Sequence, residues 1–274
     1  MRDHTLFLVV WARYAGQMLI VTPYVWHRSG PGFWRTGRLP LQLFRSTLLL
    51  VATFCFFGGL RYLPLAEGSA IIYLAPIVVV VLSISLLGER PNRWRWMTAI
   101  TGFIGILIVL RPGSAVFHPA ALLLVAAAIC NGLYYVLTRK LAGENRHTTL
   151  FYSALVGTVC LTLFLPWAAL EGTPGPRDGA LFVLLGILAG LGHALIIGAY
   201  VTAPASLLTP FTYLQMLWAI TYGYLVFGQL PDGMSALGMA VIVASGIALA
   251  WHERPRGPVR APVVEDPEPD VPIP

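Results

Sequence analysis

The segment AIIYLAPIVVVVLSISLLGERP, residues 70–91, carries no charged side chain before Glu89. Crossing the hydrocarbon core of a bilayer takes roughly 20 apolar residues in a helix, so this stretch is long enough to span a membrane. Polar and apolar residues do not alternate along it, which argues against a strand of a transmembrane β-barrel. The segment therefore predicts a membrane-spanning helix that ends in a Gly- and Pro-containing turn.

The composition of the whole chain supports the same environment. Of the 274 residues, 57% are hydrophobic and 11% are charged, and the mean hydropathy is +0.74. A soluble domain is usually about 25% charged, so the lipid bilayer must be the solvent for much of this chain. The net charge of +6 does not predict nucleic-acid binding, because the basic residues lie in short gaps between apolar runs.

The apolar runs predict an all-α polytopic membrane protein with nine helices. The predicted helices cover about 6–26, 44–62, 67–87, 95–111, 116–138, 148–169, 180–201, 205–227 and 233–251. The remaining segment, 253–274, is rich in proline and acidic residues, which predicts a disordered tail.

A second segment, PFTYLQMLWAITYGYLVFGQLP at 210–231, matches the first when the sequence is shifted by 140 positions. Tyr73-Leu74 then aligns with Tyr213-Leu214, Gly88 with Gly228, and Pro91 with Pro231. This predicts two repeats, 1–112 with four helices and 113–252 with five. The partner of helix 116–138 would lie upstream of Met1, so we expect a ten-helix fold that lacks its first helix. A start codon assigned too late, or a truncated gene, would explain this.

The positions of Arg and Lys predict the orientation. Of the 18 Arg and Lys residues, thirteen lie on the same side of the membrane as the loop after the first helix, and Arg45 is counted among them. Four lie on the other side, and Arg13, inside a helix, is not counted. Cytoplasmic loops carry the excess of basic residues, which predicts a cytoplasmic C-terminus in a plasma membrane, the inner membrane of a bacterium.

Several motifs resemble the drug/metabolite transporter superfamily, EamA type, over roughly residues 6–252. They are Trp11-Ala12-Arg13-Tyr14, Arg61 to Glu67, Ala75-Pro76 with Leu87-Gly88-Glu89-Arg90, Gly102 to Gly113, Ala203 to Ser206, and Pro210 to Gln215. The resemblance implies two inverted EamA repeats of five helices each, with a small-molecule substrate bound between them. The second-half motifs are similar to a subgroup of carriers described for S-adenosylmethionine-like or riboflavin-like metabolites.

Ionisable residues inside a membrane are expensive, so each is a candidate site residue. Arg13, with Gln17 one turn later, could form a cationic wall of the cavity, or Arg13 could reach the membrane interface instead. His193 could relay protons, or could be a neutral side chain bonded to a neighbouring helix. Glu67 is the nearest carboxylate for proton coupling, and its alternative role is a favourable charge at a helix N-terminus.

Polar and aromatic side chains at helical spacing complete the predicted cavity. Tyr73 and Tyr213 are repeat partners, and a tyrosine can both stack on a ligand and donate a hydrogen bond. The other candidates are Asn131, Tyr135, Thr212 and Gln215. For each residue alone, hydrogen bonding between helices is the alternative.

The leading interpretation is a secondary transporter of a small metabolite that works by alternating access. A transport-inactive or truncated membrane scaffold is the alternative. A membrane-embedded enzyme is disfavoured, because the sequence has no HExxH, no GxSxG and no paired acidic residues within a helix. We expect no cofactor and no metal site, since Cys55, Cys130 and Cys160 lie in apolar runs without ligand spacing. The sequence does not predict the oligomeric state.

Overall fold

The computed structural model describes residues 5–88, 93–111, 117–165, 175–203, 208 and 214–252. Within these ranges the chain forms ten α-helices and no strand. In chain order they are α1 (Leu6–Ser29), α2 (Leu39–Gly59), α3 (Leu65–Ile72), α4 (Leu74–Leu87), α5 (Arg93–Leu110), α6 (Ala121–Lys140), α7 (Arg146–Phe164), α8 (Pro176–Thr202), α9 (Leu214–Phe227) and α10 (Gly233–His252).

The helices confirm the predicted all-α membrane fold. Seven spans of the described chain are long and apolar enough to cross a bilayer, and α3 with α4 make up one of them, Leu65–Leu87. Counted by span, the ten helices correspond to the nine predicted runs. The predicted tail at 253–274 and most of residues 205–213, the first part of the predicted run at 205–227, lie outside the described residues.

Helix α2 begins earlier than the sequence predicted. Pro40 lies in its first turn, where the missing N–H of proline removes no helical hydrogen bond, so the helix starts at Leu39 and not near residue 44. Arg45 is therefore well inside the helix and is fully buried. The prediction that Arg45 belongs to the basic loop flank was wrong, because α2 begins six residues before it.

The span predicted at 67–87 is broken at Tyr73 into α3 and α4. Pro76 has no N–H to donate, and its ring clashes with the carbonyl of the residue four positions earlier, Ile72. The chain tightens there, and the backbone N–H of Tyr73 donates to the carbonyl of Ala70 at 3.2 Å. The break places Tyr73 where two helix ends meet, near the centre of the bundle.

Helices α5 and α10 are repeat partners and pack antiparallel. At one end the rings of Trp94 and His252 stack with centroids 3.7 Å apart. At the other end Arg111, just after α5, forms an ion pair with Asp232, just before α10. Partners that run in opposite directions are the signature of inverted repeats.

Other helices related by the repeat also pack on each other. The shift of 140 relates α1 to α7, α3 and α4 to α9, and α5 to α10. Helix α1 packs on α7, α3 on α9, and α5 on α10, so each contact joins one element to its own repeat partner. These three pairs form the part of the interface between the repeats that follows the repeat symmetry.

Helix α6 breaks the symmetry. It packs along α2 and α4, whose repeat partners are α8 and α9. Among the described residues no helix lies along α8 and α9 in the same way, and α8 is the least buried of the seven apolar spans. Among the described residues, α1 to α5 make up four spans and α6 to α10 follow as five helices.

Candidate functional site

A small cavity lies where the two repeats meet. It encloses about 30 Å³, room for about two water molecules. Its lining residues from the first repeat include Tyr73, Pro76 and Val79, and those from the second repeat are Tyr135, Tyr200 and Gln215. The structure therefore brings together three predicted site residues, Tyr73, Tyr135 and Gln215, which come from three different helical spans.

The helix break at Tyr73 positions the first of these residues. Tyr73 is buried, and it packs with Met216 of α9 and Ile106 of α5 in one hydrophobic cluster. Gln215 is the neighbour of Met216 in α9 and is exposed, so it borders the cavity from its open side. One wall of the cavity is thus buried and the other is exposed.

Two tyrosines form the aromatic wall of the cavity. The rings of Tyr135 in α6 and Tyr200 in α8 stack with centroids 5.1 Å apart and planes 6° apart. The Tyr200 hydroxyl is buried and has no hydrogen-bond partner among the described residues. An unpaired buried hydroxyl is unfavourable, so this group is available for a ligand or an ordered water.

Sequence reasoning missed Tyr200, although a signal existed. Tyr200 lies seven residues after His193, and Ile197 lies between them, so all three share one face of α8. All three side chains are buried. A search for polar residues on the His193 face of that helix would have included Tyr200.

The second group of site residues lies between α1 and α8. A terminal nitrogen of Arg13, Nη2, donates a hydrogen bond to Nε2 of His193 at 2.8 Å. The helices approach closely because Gly16 and Gly186 face each other, and a Cβ on Gly186 would lie 2.7 Å from the Gly16 backbone. Small residues at a helix contact of this kind bring the polar side chains on either side within reach.

Gln17 lies one turn after Arg13 on the same face of α1 and is fully buried. Its side chain is directed at α8, where its Cγ would lie 3.7 Å from a Cβ on Gly190. Neither atom of its amide group has a hydrogen-bond partner among the described residues, and the same is true of Nη1 of Arg13. Arg13 and Gln17 thus both keep unused hydrogen-bonding groups in the α1–α8 contact.

Tyr134 extends this group to α2. The Tyr134 hydroxyl lies 3.3 Å from Nδ1 of His193, and the guanidinium of Arg45 lies 4.8 Å from the centre of the Tyr134 ring. Tyr134 also contacts Tyr135, with ring centroids 5.5 Å apart. The polar group at Arg13 and the aromatic cavity are therefore neighbours that share α6.

Arg45 is the second residue that sequence reasoning missed. Its guanidinium donates to the hydroxyl of Thr138 at 3.1 Å, and to the carbonyl of Thr149 and the hydroxyl of Ser153 at 2.7 Å each. The described part of the chain contains no carboxylate within ion-pair distance of Arg13 or Arg45. Two cationic side chains thus lie inside the bundle with neutral partners, and a bound anion would be favoured beside them.

The other predicted residues lie apart or outside the described ranges. Asn131 is half-buried on α6, one turn before Tyr135. Thr212 and Tyr213 lie outside the described residues. Glu67 accepts a hydrogen bond from Ser235 at 3.3 Å, at the end of the bundle that holds Arg111 and Asp232.

The polar cluster at that end is formed by Glu67, Arg111, Asp232 and Ser235. Arg111 donates to both Asp232 and Ser235, and the Asp232 carboxylate also caps α10 by accepting from the backbone N–H of Ser235 at 2.7 Å. The hydrogen bond from the Arg111 guanidinium, with help from Ser235, holds the pKa of the Asp232 carboxyl well below its usual range. The cluster ties together α3, α5 and α10, which come from both repeats.

The sequence profile of the EamA-like transporter family matches residues 1–111 and 118–251, one stretch for each repeat. The chain belongs to the EamA-like transporter family. This confirms the resemblance to the drug/metabolite transporter superfamily and the two-repeat fold.

Curated relatives are transporters of chemically different metabolites. The chain is 27% identical to an S-adenosylmethionine uptake transporter of Rickettsia bellii over 250 residues, which cover 90% of the chain and 84% of the relative. It is 29% identical to a riboflavin transporter of Vibrio cholerae, covering 86% and 80%. It is 24% identical to a pseudopaline exporter of Pseudomonas aeruginosa, covering 81% and 78%.

A solved crystal structure has the same fold, with a TM-score of 0.71 over 90% of this chain and 87% of the other, at 21% identity. The family and the apolar spans establish a multi-pass membrane protein. The relatives include an uptake transporter and an exporter, and they place this EamA-family chain among transporters of small molecules.

Proposed function

We propose that this chain is a secondary transporter that carries a small metabolite by alternating access, with the substrate bound between its two repeats. The cavity lined by Tyr73 of the first repeat and by Tyr135, Tyr200 and Gln215 of the second supports this proposal most directly. A site shared by both repeats changes its exposure when one repeat rocks against the other. The family match and the named activities of the relatives agree with it.

The site extends from the aromatic cavity to the Arg13 group. Tyr135 and Tyr200 supply a flat surface for a planar part of the substrate, and Arg13 with Gln17 supplies hydrogen-bond donors. Glu67 and His193 are the two candidates for proton coupling. Glu67 lies in the polar cluster at one end of the bundle, while His193 lies within the site itself.

The cavity as observed is small, and metabolites of the size that the relatives carry need several hundred Å³. We interpret this as a closed conformation, in which the polar cluster of Glu67, Arg111, Asp232 and Ser235 holds the helices together at one end of the bundle. Alternating access then requires the contacts between Arg111, Asp232, Glu67 and Ser235 to separate in the state that opens toward that end.

The orientation has the C-terminus in the cytoplasm of a bacterial cell, with the protein in the inner membrane. The excess of basic residues on the side of the loop at 30–38 supports this even with Arg45 removed from the count. Fusions of a cytoplasmic reporter to the loop at 30–38 and of a periplasmic reporter to the loop at 60–64 would both be active in this orientation. Activity of the opposite pair would reverse it.

Transport by purified protein in liposomes tests the central proposal. Liposomes loaded with unlabelled metabolite and diluted into trace radiolabelled metabolite should accumulate label, because a carrier exchanges substrate across the membrane. A screen would include S-adenosylmethionine and riboflavin as probes. Absence of exchange for every metabolite of a broad panel, from protein that is monodisperse in detergent, would leave the transport-inactive scaffold as the correct interpretation.

The substitution Gln215→Ala locates the site, with Gln229→Ala as the matched control. Both glutamines are exposed, and Gln229 lies outside the cavity. We expect Gln215→Ala to lower the exchange rate by about tenfold, the worth of one good hydrogen bond, and Gln229→Ala to leave it unchanged. Equal rates for the two variants would remove Gln215 from the site.

A further inference from the structure

The polar group between α1 and α8 has a fixed direction of hydrogen bonding. An arginine side chain has only donors, so Nε2 of His193 must accept from Arg13. His193 is therefore neutral, and its proton is on Nδ1, from which it donates to the Tyr134 hydroxyl. Tyr134 accepts this bond, which leaves its own O–H proton without an acceptor among the described residues.

The unused groups in this region are mainly donors. Nη1 of Arg13 and the amide nitrogen of Gln17 are buried and unpaired, and so is Nε of Arg45. The amide oxygen of Gln17 is unpaired as well, so it forms no hydrogen bond with any of these donors. A ligand that completes this group must supply hydrogen-bond acceptors, and it must do so inside the membrane, where water is scarce.

The charge of the group selects the kind of acceptor. Both guanidiniums lie 4.8 Å from the centre of a tyrosine ring, Arg13 over Tyr14 and Arg45 over Tyr134. Arg45 also donates to three neutral oxygens, whereas Arg13 donates one hydrogen bond, to neutral His193. Arg13 is therefore the less compensated of the two cations. Nη1 of Arg13 carries two N–H groups in the plane of the guanidinium, and either can donate a charge-assisted hydrogen bond to a carboxylate oxygen.

We propose that Arg13 and Gln17 bind the carboxylate of the transported metabolite, so that the substrate class is the carboxylate-bearing metabolites. This rests on the proposed transport function. Nη1 of Arg13 donates to the carboxylate and neutralises it, and the Gln17 amide nitrogen donates a second bond one turn along α1. His193 and Tyr134 are positioning residues, because His193 holds the other terminal nitrogen of Arg13 and thereby orients the guanidinium plane.

The test compares each acid with its own amide or with its decarboxylated form. Purified full-length protein is titrated with nicotinate and nicotinamide, biotin and biotinamide, tryptophan and tryptophanamide, and S-adenosylmethionine and its decarboxylated form, with thermal stabilisation and calorimetry as readouts. Each pair differs by loss or neutralisation of one carboxylate. At least one acid should bind, and more tightly than its partner by about 10- to 100-fold, the range for a charge-assisted hydrogen bond. Binding of no acid, equal binding within the pairs, or stronger binding of a phosphate monoester such as pyridoxal 5′-phosphate would overturn the proposal.

Two variants separate binding from a structural role. Gln17→Met has nearly the same volume and removes an amide that makes no hydrogen bond, so it should leave the melting temperature unchanged or raised while weakening acid binding by about tenfold. A fall in melting temperature with unchanged acid binding would show a structural role and contradict the proposal. Arg13→Gln should also lose the preference for the acid, and exposed Arg177→Gln is its matched control.

The outcome for the carboxylate site can be told apart from the outcome for transport. Exchange of acids and amides at equal rates would refute the carboxylate site and leave the carrier intact. Selective acid binding without any exchange would refute the carrier and leave the site intact.

Discussion

Gly105 of α5 and Gly238 of α10 touch backbone to backbone at the contact between the two repeats. A Cβ on Gly238 would lie 2.6 Å from the carbonyl oxygen of Gly105, and a Cβ on Gly105 would lie 2.8 Å from the carbonyl oxygen of Gly238. Both distances are shorter than real Cβ contacts, so neither glycine can gain a side chain unless the helices move apart. The closeness of α5 and α10 sets the distance between the repeats at this contact.

Gly238→Ala tests this contact, with Gly192→Ala as the control. A Cβ on Gly192 of α8 meets no atom within 4 Å, and alanine is the better helix former. We expect Gly238→Ala to lower the free energy of unfolding by about 1–3 kcal/mol and Gly192→Ala to leave it unchanged or raised. The measurement is thermal unfolding of the purified proteins in one detergent. Equal melting temperatures would mean that α5 and α10 are not held at this distance.

The ion pair between Arg111 and Asp232 makes stability depend on pH. Its hydrogen bond lowers the pKa of Asp232 in the folded state below the value of about 3.9 expected when unfolded. A lowered folded pKa contributes stability that is fully present above the unfolded value and is lost as the pH falls through it toward the folded pKa. Asp232→Asn keeps an oxygen for the cap of α10 and removes the charge. We expect its melting temperature to lie below that of the wild type at pH 7 and the gap to narrow below about pH 4.

Asp178→Asn is a comparison for this pH dependence, since Asp178 also caps a helix, α8, by accepting from the backbone N–H of Gly175. The polar cluster around Arg111 joins α3, α5 and α10, so Asp178 on α8 is not a member of it. A gap between wild type and Asp232→Asn that does not change with pH would show that the charge of Asp232 does not stabilise the fold.

The buried hydroxyl of Tyr200 predicts a variant whose stability and transport change differently. Tyr200→Phe keeps the stack on Tyr135 and removes a hydroxyl that has no partner among the described residues. Stability should therefore be unchanged or raised, by up to about 1 kcal/mol, while exchange falls if the hydroxyl binds substrate. Tyr222→Phe, at an exposed position outside the cavity, is the control. Loss of stability in Tyr200→Phe would show that the hydroxyl is already satisfied.

Apolar length was sufficient to predict the spans, because a helix must satisfy its own backbone inside lipid. The sequence could not predict how α1 and α8 meet. Arg13 and His193 are 180 positions apart, and no local spacing relates them. Both residues were predicted as candidates on the cost of burying a polar group, but their pairing depends on Gly16 and Gly186, which bring two helices together.

Arg45 shows how one boundary error changes a functional interpretation. Arg45 lies at the very start of the predicted run at about 44–62, and it was counted with the loop charges. Pro40 in the first helical turn was the signal that α2 begins earlier and carries Gln42, Arg45 and Ser46 into the bundle. The predicted roles of Thr212 and Tyr213 stay predictions, and Tyr213→Ala is still expected to lower transport without lowering membrane abundance.

The neutral state of His193 leads to the sharpest test of how transport is coupled. Glutamine can replace a neutral histidine here, because its amide oxygen can accept from Arg13 and its amide nitrogen can donate to Tyr134, whereas leucine can do neither. If His193 only positions Arg13, His193→Gln should keep exchange within about threefold of the wild type, and His193→Leu should lose about tenfold or more. Both rates are measured in liposomes from pH 5.5 to 8. A proton-coupling role predicts a different result, since glutamine does not titrate. In that case His193→Gln would bind substrate normally, but its uptake would no longer respond to an imposed pH gradient, and the positioning role would be refuted.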